Sequence, residues 1–498
     1  KGDFMQFLSV SYIFFLVMVL CIWYIVPGKY QYLVVLAANV LFYSSWVHSL
    51  SDALLLILLV ILAYGAAICI AGCTISWVRI TVLWSFVVTS AGLLLYFKYF
   101  AFLIENINNL QGLLGIQPLA DESPIAPVGL SFFSFQSLGY VIDVYRGKSG
   151  CEKNLLRYAA FASFFATITS GPIERSDHFL KELQFAGKKK PEYEKIRSGA
   201  ILFLYGAFVK MVISDRLSVV SNTVFGAYEN YSGFLLMTAA IGYSLQIYCD
   251  FMSYSLLAQG SAKMMGLELI ENFKAPYFSE SVQEFWRRWH ISLSTWLRDY
   301  VYISLGGNRC SKVRKDINIF ITFLISGLWH GANWTFVMWG CLHGIFQIVG
   351  NRTRKFRNRV TRWLQFDTTC FSAHLWRKFF VWVCVSLAWI FFRSATISDA
   401  FMYIYRMFTL FWPWDVFNQS LYTMGLDELQ VRILFLALLV LIALDYRKYK
   451  TDKNIDVLLL QQNPVFRGLC ILALFLATFV FGQYGPAFNA QDFIYFQF

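Results

Sequence analysis

Two histidines lie in segments whose composition could support acid–base chemistry. His330 stands in the middle of a long apolar run, in the stretch Ser-Gly-Leu-Trp-His-Gly-Ala-Asn-Trp at 326–334. An ionisable side chain at membrane depth is costly and marks a functional site by default, and the flanking glycines let backbone approach a ligand. A neutral histidine there can act as a general base. The alternative is a core histidine that is hydrogen-bonded to a neighbouring helix.

His290 lies in the aromatic and basic segment 285–300. Helical spacing places Arg287 and Arg298 near one face of this segment, which we interpret as one helix at the inner membrane surface. Its arginines could be interfacial anchors whose stems lie along apolar surface. They could instead hold phosphate groups, since the guanidinium fork matches phosphate oxygens.

Composition narrows the class of protein. The chain has 498 residues, of which 58% are hydrophobic and 14% are charged. A soluble globular protein is nearer 45–50% apolar and about 25% charged, so a soluble enzyme, a disordered chain and a fibrous repeat are excluded. We predict an all-α, polytopic membrane protein.

The net charge of +12 is attributed to cytoplasmic loops, so nucleic acid is not an expected partner. Ten cysteines include no Cys-x-x-Cys pair, so no metal site is expected.

Apolar runs indicate the membrane spans. The runs long enough to cross cover 7–26, 30–47, 52–71, 80–97, 127–145, 198–213, 233–252, 378–394, 431–445 and 466–485. Two further runs fit poorly as single spans, because 155–171 is short and 317–349 would make about 50 Å of helix. Segment 398–412 has the pattern of an interfacial helix.

The positive-inside rule then orients the chain. Basic loops are found at 146–157, 175–197, 309–315, 352–362 and 447–453. If these loops are cytoplasmic, both termini lie outside. Segment 155–171 must then enter and leave the membrane on the same side, so we predict that it is re-entrant. Segment 317–349 must cross an even number of times or enter and return. We therefore expect 10–12 crossings. Non-helical backbone at membrane depth needs surrounding protein or a water-filled cavity, so a central tunnel is predicted.

Longer sequence motifs support the prediction of a membrane protein with a functional site. They are Tyr248-Cys249-Asp250-Phe251, Glu271-Asn272-Phe273, Pro276-Tyr277, residues 285–294, Arg298-Asp299-Tyr300, residues 305–309, Gly327-Leu328-Trp329-His330-Gly331, Ser170-Gly171-Pro172-Ile173-Glu174-Arg175 and residues 492–498. Together they resemble the membrane-bound O-acyltransferases (MBOAT), in the branch of the alginate O-acetyltransferases and the D-alanyl-teichoic-acid transferases. The resemblance is nearest to the polysaccharide O-acetyltransferase group.

The resemblance implies roles for single residues. His330 matches the catalytic histidine of the family, and His290 matches a second polar position of the site. One position departs from the family pattern, because Leu256 stands where the family usually has Asp, so the role of that loop is not carried over. His343 is expected to be a structural support. The candidates for lining the tunnel or binding the donor are Asp250, Arg287, Arg288, Arg298, Asn308, Trp329 and Asn333.

The resemblance also implies an architecture. We expect the MBOAT fold as a single membrane domain over 1–498, with re-entrant and interfacial helices around the tunnel. Its parts would be N-terminal helices at 1–145, a catalytic core at 146–350 that includes the motif region 250–343, and C-terminal helices with an aromatic tail at 351–498. His48, His178 and His374 are interpreted as loop or interface residues.

The expected reaction is transfer of an acyl group, most simply acetyl, from cytoplasmic acetyl-CoA to an extracellular or cell-wall polysaccharide. Acyl transfer from a thioester needs an activated hydroxyl, a polarised carbonyl and exclusion of water, and His330 would supply the base. No bound cofactor is expected. The expected partner is a secreted or membrane-tethered esterase-like protein. Tyr495 could relay the acyl group covalently, or it could be an aromatic interfacial anchor.

Two alternatives remain open. One is a D-alanyl transferase that uses a phosphopantetheine-bearing carrier protein. The length near 500 residues and the final span with its aromatic tail favour the acetyl transferase. The other is a transporter or channel whose histidines relay protons, although no inverted repeat is visible. For the enzyme we expect a bacterial cell membrane, several crossings, surrounding membrane lipid and extracytoplasmic termini.

Overall fold

The computed structural model describes residues 5–47, 49–120, 124–186 and 192–485, and these residues form helices and connecting turns with no strand among them. The predicted all-α class is therefore confirmed. The chain divides into two compact units, one of Lys1–Phe203 with Leu257–Ile270 and the other of Leu204–Leu256 with Glu271–Phe498. The expectation of a single domain stays a prediction, since one domain can contain two such units.

The first nine helices begin in the first unit. They are α1 Val10–Ile25, α2 Gln31–Ser44, α3 Leu50–Gly72, α4 Ser76–Leu94, α5 Phe100–Leu113, α6 Leu130–Tyr145, α7 Leu155–Ala162, α8 Ser176–Ala186 and α9 Tyr193–Phe208. Polar caps mark where several of them start. Ser9 accepts the N–H of Tyr12 at α1, and Asn154 accepts two N–H groups at α7. Such caps satisfy backbone donors that have no partner within the helix.

The remaining helices contain the candidate site. They are α10 Asp215–Gly226, α11 Gly233–Met264, α12 Val282–Arg288, α13 Ile291–Leu297, α14 Lys312–His330, α15 Trp334–Arg352, α16 Arg354–Trp363, α17 Phe371–Arg393, α18 Ile397–Thr409, α19 Glu428–Thr451, α20 Ile455–Leu460 and α21 Pro464–Phe481. A π-helical segment, Val209–Ser214, joins α9 to α10, and a second, Arg298–Tyr302, follows α13.

Seven helical stretches among the described residues are long and apolar enough to cross a membrane. They are Leu50–Gly72, Ser76–Leu113, Tyr193–Gly226, Gly233–Met264, Phe371–Arg393, Glu428–Thr451 and Pro464–Phe481. The shorter helix α1 is also apolar. The multi-pass prediction is confirmed. The total of 10–12 crossings stays a prediction, because it needs shorter helices in addition to these seven.

The two unusual runs contain breaks in the helix. In 155–171, helix α7 ends at Ala162 and the following residues form turns that are buried as far as Ser170. In 317–349, helix α14 ends at His330 and α15 begins at Trp334. The long run is therefore a helical hairpin. The segment predicted to be interfacial contains α18, with Tyr403 buried and Phe401 and Tyr405 exposed.

The prediction of one helix over 285–300 is wrong. Helix α12 ends at Arg288, and His290 adopts a left-handed conformation with φ of 42°. The N–H of Ile291 donates to the carbonyl oxygen of Asn272 at 3.0 Å, and the N–H of Lys274 donates to the carbonyl oxygen of Arg288 at 3.0 Å. These bonds to a segment distant in sequence replace the helical pattern, so the chain turns at His290.

Two glycines allow α14 and α15 to approach closely. A methyl group on Gly340 would lie 2.5 Å from the carbonyl oxygen of Phe323, and one on Gly327 would lie 2.4 Å from that of Phe336. Small residues at such contacts let helix backbones approach within a membrane. The contact therefore sets the separation of the two helices next to His330.

We expect Gly340→Ala to lower the free energy of unfolding by about 1–3 kcal/mol, because the added methyl group overpacks the contact. The matched control is Gly350→Ala in the same helix, where nothing lies within 4 Å of the added carbon and alanine favours the helix by up to about 1 kcal/mol. Thermal unfolding of both variants in detergent compares them. Equal midpoints would contradict the close-contact explanation.

Candidate active site

His330 lies in an aromatic cluster at the end of α14. Its ring centroid is 5.0 Å from those of Trp329 and Trp339, and 5.3 Å from that of Phe392. The residue is 3% exposed. Apolar rings on several sides keep water from the imidazole, which is the environment that protects a reactive acyl donor from hydrolysis.

His290 is buried near the same cluster. Its ring centroid is 4.5 Å from that of Phe251 and 5.9 Å from that of Trp329. Burial lowers the pKa of His290 well below its ordinary value, so its imidazole is neutral at physiological pH. The predicted site residue Trp329 contacts both histidine rings. The structure thus brings these three candidates together.

His343 belongs to this cluster through hydrogen bonding as well as packing. Its Nδ1 accepts the indole N–H of Trp286 at 3.2 Å, and its ring centroid is 4.9 Å from that of Trp339. Trp339 in turn contacts His330. Trp286 was not among the site residues predicted from the sequence, although it belongs to a motif segment. The expectation that His343 is a support agrees with this contact and stays a prediction.

A cavity of about 580 Å³ adjoins the cluster. Trp286 lines it, and so does Ser326, which lies one helical turn before His330. Three cations, Arg287, Arg298 and Lys315, line the cavity, and no acidic side chain is among its described lining residues. Arg298 is paired with Asp299, so Arg287 and Lys315 are the main source of a positive field that favours an anionic ligand. Groups of three or more potential metal ligands are absent from the described residues.

Three of the predicted donor-binding residues line this cavity, namely Arg287, Arg298 and Asn308. The Asn308 side-chain oxygen accepts the hydroxyl of Tyr302 at 2.8 Å, and Tyr302 also lines the cavity. Arg298 donates to Asp299 at 2.8 Å. Polar groups are therefore held in place along the cavity wall.

Two other candidates brace the backbone. Arg288 donates to Glu284 at 2.9 Å and to the carbonyl oxygen of Lys274 at 3.1 Å, and it is not among the lining residues. Asn333 caps α15 by accepting the N–H of Thr335 at 2.9 Å, and it donates to the carbonyl oxygen of Ala395 at 3.1 Å. Tyr495 lies outside the described residues.

Asp250 belongs to a buried ionic network. The ammonium group of Lys210 lies 2.7 Å from Asp250 and 3.0 Å from Asp215, and Ser214 donates to Asp250 at 3.3 Å. The side chains of Lys210, Asp215 and Asp250 are at most 7% exposed. Lys210 and Asp215 were not among the site residues predicted from the sequence. The sequence signal that could have indicated them is a lysine inside an apolar run, with an aspartate five residues later.

The segment around Leu256 is tied to the His290 turn. Asn272 donates to the hydroxyl of Ser255 at 3.0 Å and accepts the hydroxyl of Ser292 at 2.7 Å. Leu256 is buried, so an apolar side chain fits the place where the family usually has Asp. The asparagine thus links the segment next to Leu256 with the start of α13.

The Gly-Pro-Ile-Glu element also has a bracing role, in the first unit. Glu174 is buried and accepts the N–H of Ile270 at 2.5 Å, and its burial raises the pKa of the carboxyl group. His178 lies 3.4 Å from the other carboxylate oxygen, and this hydrogen bond raises the pKa of the imidazole. The motif therefore holds the segment that follows α11.

The described residues thus form a polytopic membrane protein in which buried histidines lie among aromatic rings beside a basic cavity. The model of the membrane-bound O-acyltransferase family matches residues 40–396, and the chain belongs to this family. The resemblance inferred from the motifs is confirmed. The protein is an O-acyltransferase.

Several curated relatives are similar over much of the chain. The "Probable alginate O-acetylase" of Azotobacter vinelandii is 34% identical over 450 residues, which cover 89% of this chain and 86% of the relative. The peptidoglycan O-acetyltransferase of Helicobacter pylori is 31% identical over 341 residues, which cover 63% of this chain and 62% of the relative. The teichoic acid D-alanyltransferase of Bacillus subtilis is 30% identical over 249 residues, which cover 48% and 62%.

The buried network predicts unequal effects of removing its charges. Lys210→Met leaves Asp215 and Asp250 without the lysine between them, so we expect a loss of about 3–5 kcal/mol in the free energy of unfolding. Asp250→Asn keeps the shape of the side chain and leaves one cation with one carboxylate, so its loss should be smaller. Thermal unfolding of the two variants in detergent measures the difference. Similar losses would contradict the charge argument.

Proposed function

We propose that this O-acyltransferase takes an acetyl group from cytoplasmic acetyl-CoA and passes it across a bacterial cell membrane for O-acetylation of an extracellular or cell-wall polysaccharide. The observation that carries the proposal is the basic, acid-free cavity next to the buried histidine cluster. The acetyl-transferring relatives support the acyl group, since an alginate O-acetylase aligns with 89% of the chain and a D-alanyltransferase with 48%.

The cavity is the proposed donor site. Coenzyme A carries several phosphate groups, and arginine can form two parallel hydrogen bonds to phosphate oxygens. Arg287, Arg298 and Lys315 supply the cations on the cavity wall. With the phosphates held there, the thioester would extend along Trp286 and Ser326 toward His330.

His330 is the proposed general base. It would accept the proton of the acceptor hydroxyl as the oxygen attacks the thioester carbonyl. The new carbon–oxygen bond forms, the carbon–sulfur bond breaks, and the proton passes to the departing thiolate. The neutral His290 ring and the shared Trp329 contact would fix the position of the reacting groups.

Delivery on the outer side completes the proposal. The acetyl group would cross through the tunnel while the protein stays largely fixed, and a secreted or membrane-tethered esterase-like partner would transfer it to the polysaccharide. Both termini would then be extracytoplasmic, as the basic loops predict. A covalent relay through Tyr495 stays a prediction from the C-terminal motif.

We expect His330→Ala to reduce acetyl-CoA turnover about 10²–10⁴-fold, the usual contribution of a general base. Purified protein in nanodiscs would be assayed for release of free thiol from acetyl-CoA, with a D-alanyl-loaded carrier protein as the alternative donor. His374→Ala is the control, because that histidine is half-exposed and pairs with Glu280.

Each result of this assay has a distinct meaning. Turnover of acetyl-CoA by the wild type and the control, with loss in the His330 variant, would support both the donor and the base. Turnover with the carrier protein alone would assign the chain to the D-alanyl branch. Wild-type activity in the His330 variant would contradict the proposed base.

The donor site predicts a binding defect for Arg287→Gln. Loss of a charge-assisted hydrogen bond to a phosphate is worth about 1.5–3 kcal/mol, so KM for acetyl-CoA should rise about tenfold or more with a smaller change in kcat. Arg314→Gln removes the same charge from an exposed residue outside the cavity lining, and should leave KM unchanged. An equal rise in both variants would show only a general charge effect.

A further inference from the structure

Helix α16, Arg354–Trp363, combines dense positive charge with uncovered apolar side chains. Its ten residues include four arginines, one lysine and no acid. None of the ten is buried, and Trp363 and Phe356 are 80% and 67% exposed. The positive-inside rule predicts that the basic loop 352–362 is cytoplasmic. It does not explain why the aromatic residues of α16 are exposed.

The apolar residues of α16 fall on one face. Phe356, Val360 and Trp363 follow the spacing i, i+4, i+7, which forms a continuous stripe along a helix. Basic residues lie on both sides of this stripe, with Arg359 on one side and Arg357 on the other. A stripe of this width between flanking cations is typical of a helix that lies in the plane of a membrane surface.

The start of α16 is fixed to the preceding helix, whereas its charges remain available. Arg357 donates to the carbonyl oxygen of Gly350 at 2.9 Å, and Arg352 pairs with Asp316 of α14. Arg354, Lys355 and Arg359 form no ion pair with the residues that the structure describes. Three cations are therefore ready to bind an external anion.

We propose that α16 binds anionic phospholipid headgroups, with its apolar stripe inserted at the boundary between headgroups and acyl chains. A surface that bound only a soluble acidic protein or free phosphate would need the cations and not the stripe. An anionic bilayer matches both features, because lipid phosphates can pair with the flanking arginines while the acyl region covers Phe356 and Trp363.

The proposed binding would place a lipid contact beside the donor cavity. Gln347 and Asn351, in the last turns of α15, line the cavity, and α16 begins three residues after Asn351. An anchored α16 would therefore restrain the end of α15 that lines the cavity. This surface is separate from the reaction chemistry, so its test does not depend on the identity of the donor.

Hydrogen exchange on the full chain in nanodiscs tests the proposal. Discs of phosphatidylcholine alone would be compared with discs that also contain phosphatidylglycerol, and exchange of the backbone amides of α16 would be followed. We expect exchange to slow in the anionic discs, because binding stabilises the helical form. Each cation near an anionic surface contributes about 1 kcal/mol, or about fivefold in exchange rate. Raised salt should weaken the effect.

The variant Lys355→Gln/Arg359→Gln, which removes two of the three available cations, should lose most of this slowing. Lys312→Gln/Arg314→Gln is the matched control, because it removes the same charge from exposed positions at the start of α14 and should retain the slowing. Exchange of α17 amides in each sample reports whether the variant is folded.

Three outcomes would overturn the proposal. Equal exchange of α16 in both kinds of disc would exclude a preference for anionic lipid. Slowing in neutral discs after addition of coenzyme A alone would assign the helix to a soluble phosphate ligand. Slowing in neutral discs after addition of an acidic carrier protein would assign it to a protein partner.

Discussion

The close backbone contact between α14 and α15 positions the catalytic candidates. Gly327 and Gly340 remove side chains where the helices meet, so the hairpin can reverse between His330 and Trp334 with only three residues outside the helices. Trp339 on α15 is thereby brought against His330, and His343 on the same helix is brought against Phe323 of α14. A wider separation would leave space for water around the imidazole, and the aromatic enclosure on which protected acyl transfer depends would be lost.

Charged side chains of the second unit occur in two arrangements, along the cavity wall and in a buried network. Arg287 and Lys315 line the cavity without an acid among its described lining residues, so their charge can attract an external anion, whereas Arg298 pairs with Asp299. Lys210 instead lies between Asp215 and Asp250, where attraction compensates for the cost of burying charges. The family motif containing Asp250 thus serves the packing of α11 against the π-helical segment that precedes α10. A residue within a family motif can therefore serve the packing of the helices.

The sequence predicted the features that depend on local pattern. Apolar runs located the helices, and flanking glycines with an ionisable side chain in an apolar run indicated His330, because both signals are local in the chain. The turn at His290 could not be predicted, since it depends on hydrogen bonds to Asn272 and Lys274 that compete with helical spacing. Arg287 lines the cavity and Arg288 braces the backbone, because successive residues of helix α12 point in different directions. Neighbouring arginines are equivalent in composition, and only the path of the backbone separates their roles.

The cations of the proposed donor cavity have a consequence for how the rate of acetylation would depend on the cytoplasm. Its cations would contact the phosphates of the proposed donor, and these phosphates are unchanged when the acetyl group leaves. Interactions of this kind bind substrate and product equally well. Spent coenzyme A would therefore compete with fresh donor at the same wall, and the rate of surface acetylation would follow the ratio of the two forms. In this way a static cluster of positive charge would make modification of the cell exterior responsive to the metabolic state of the cytoplasm.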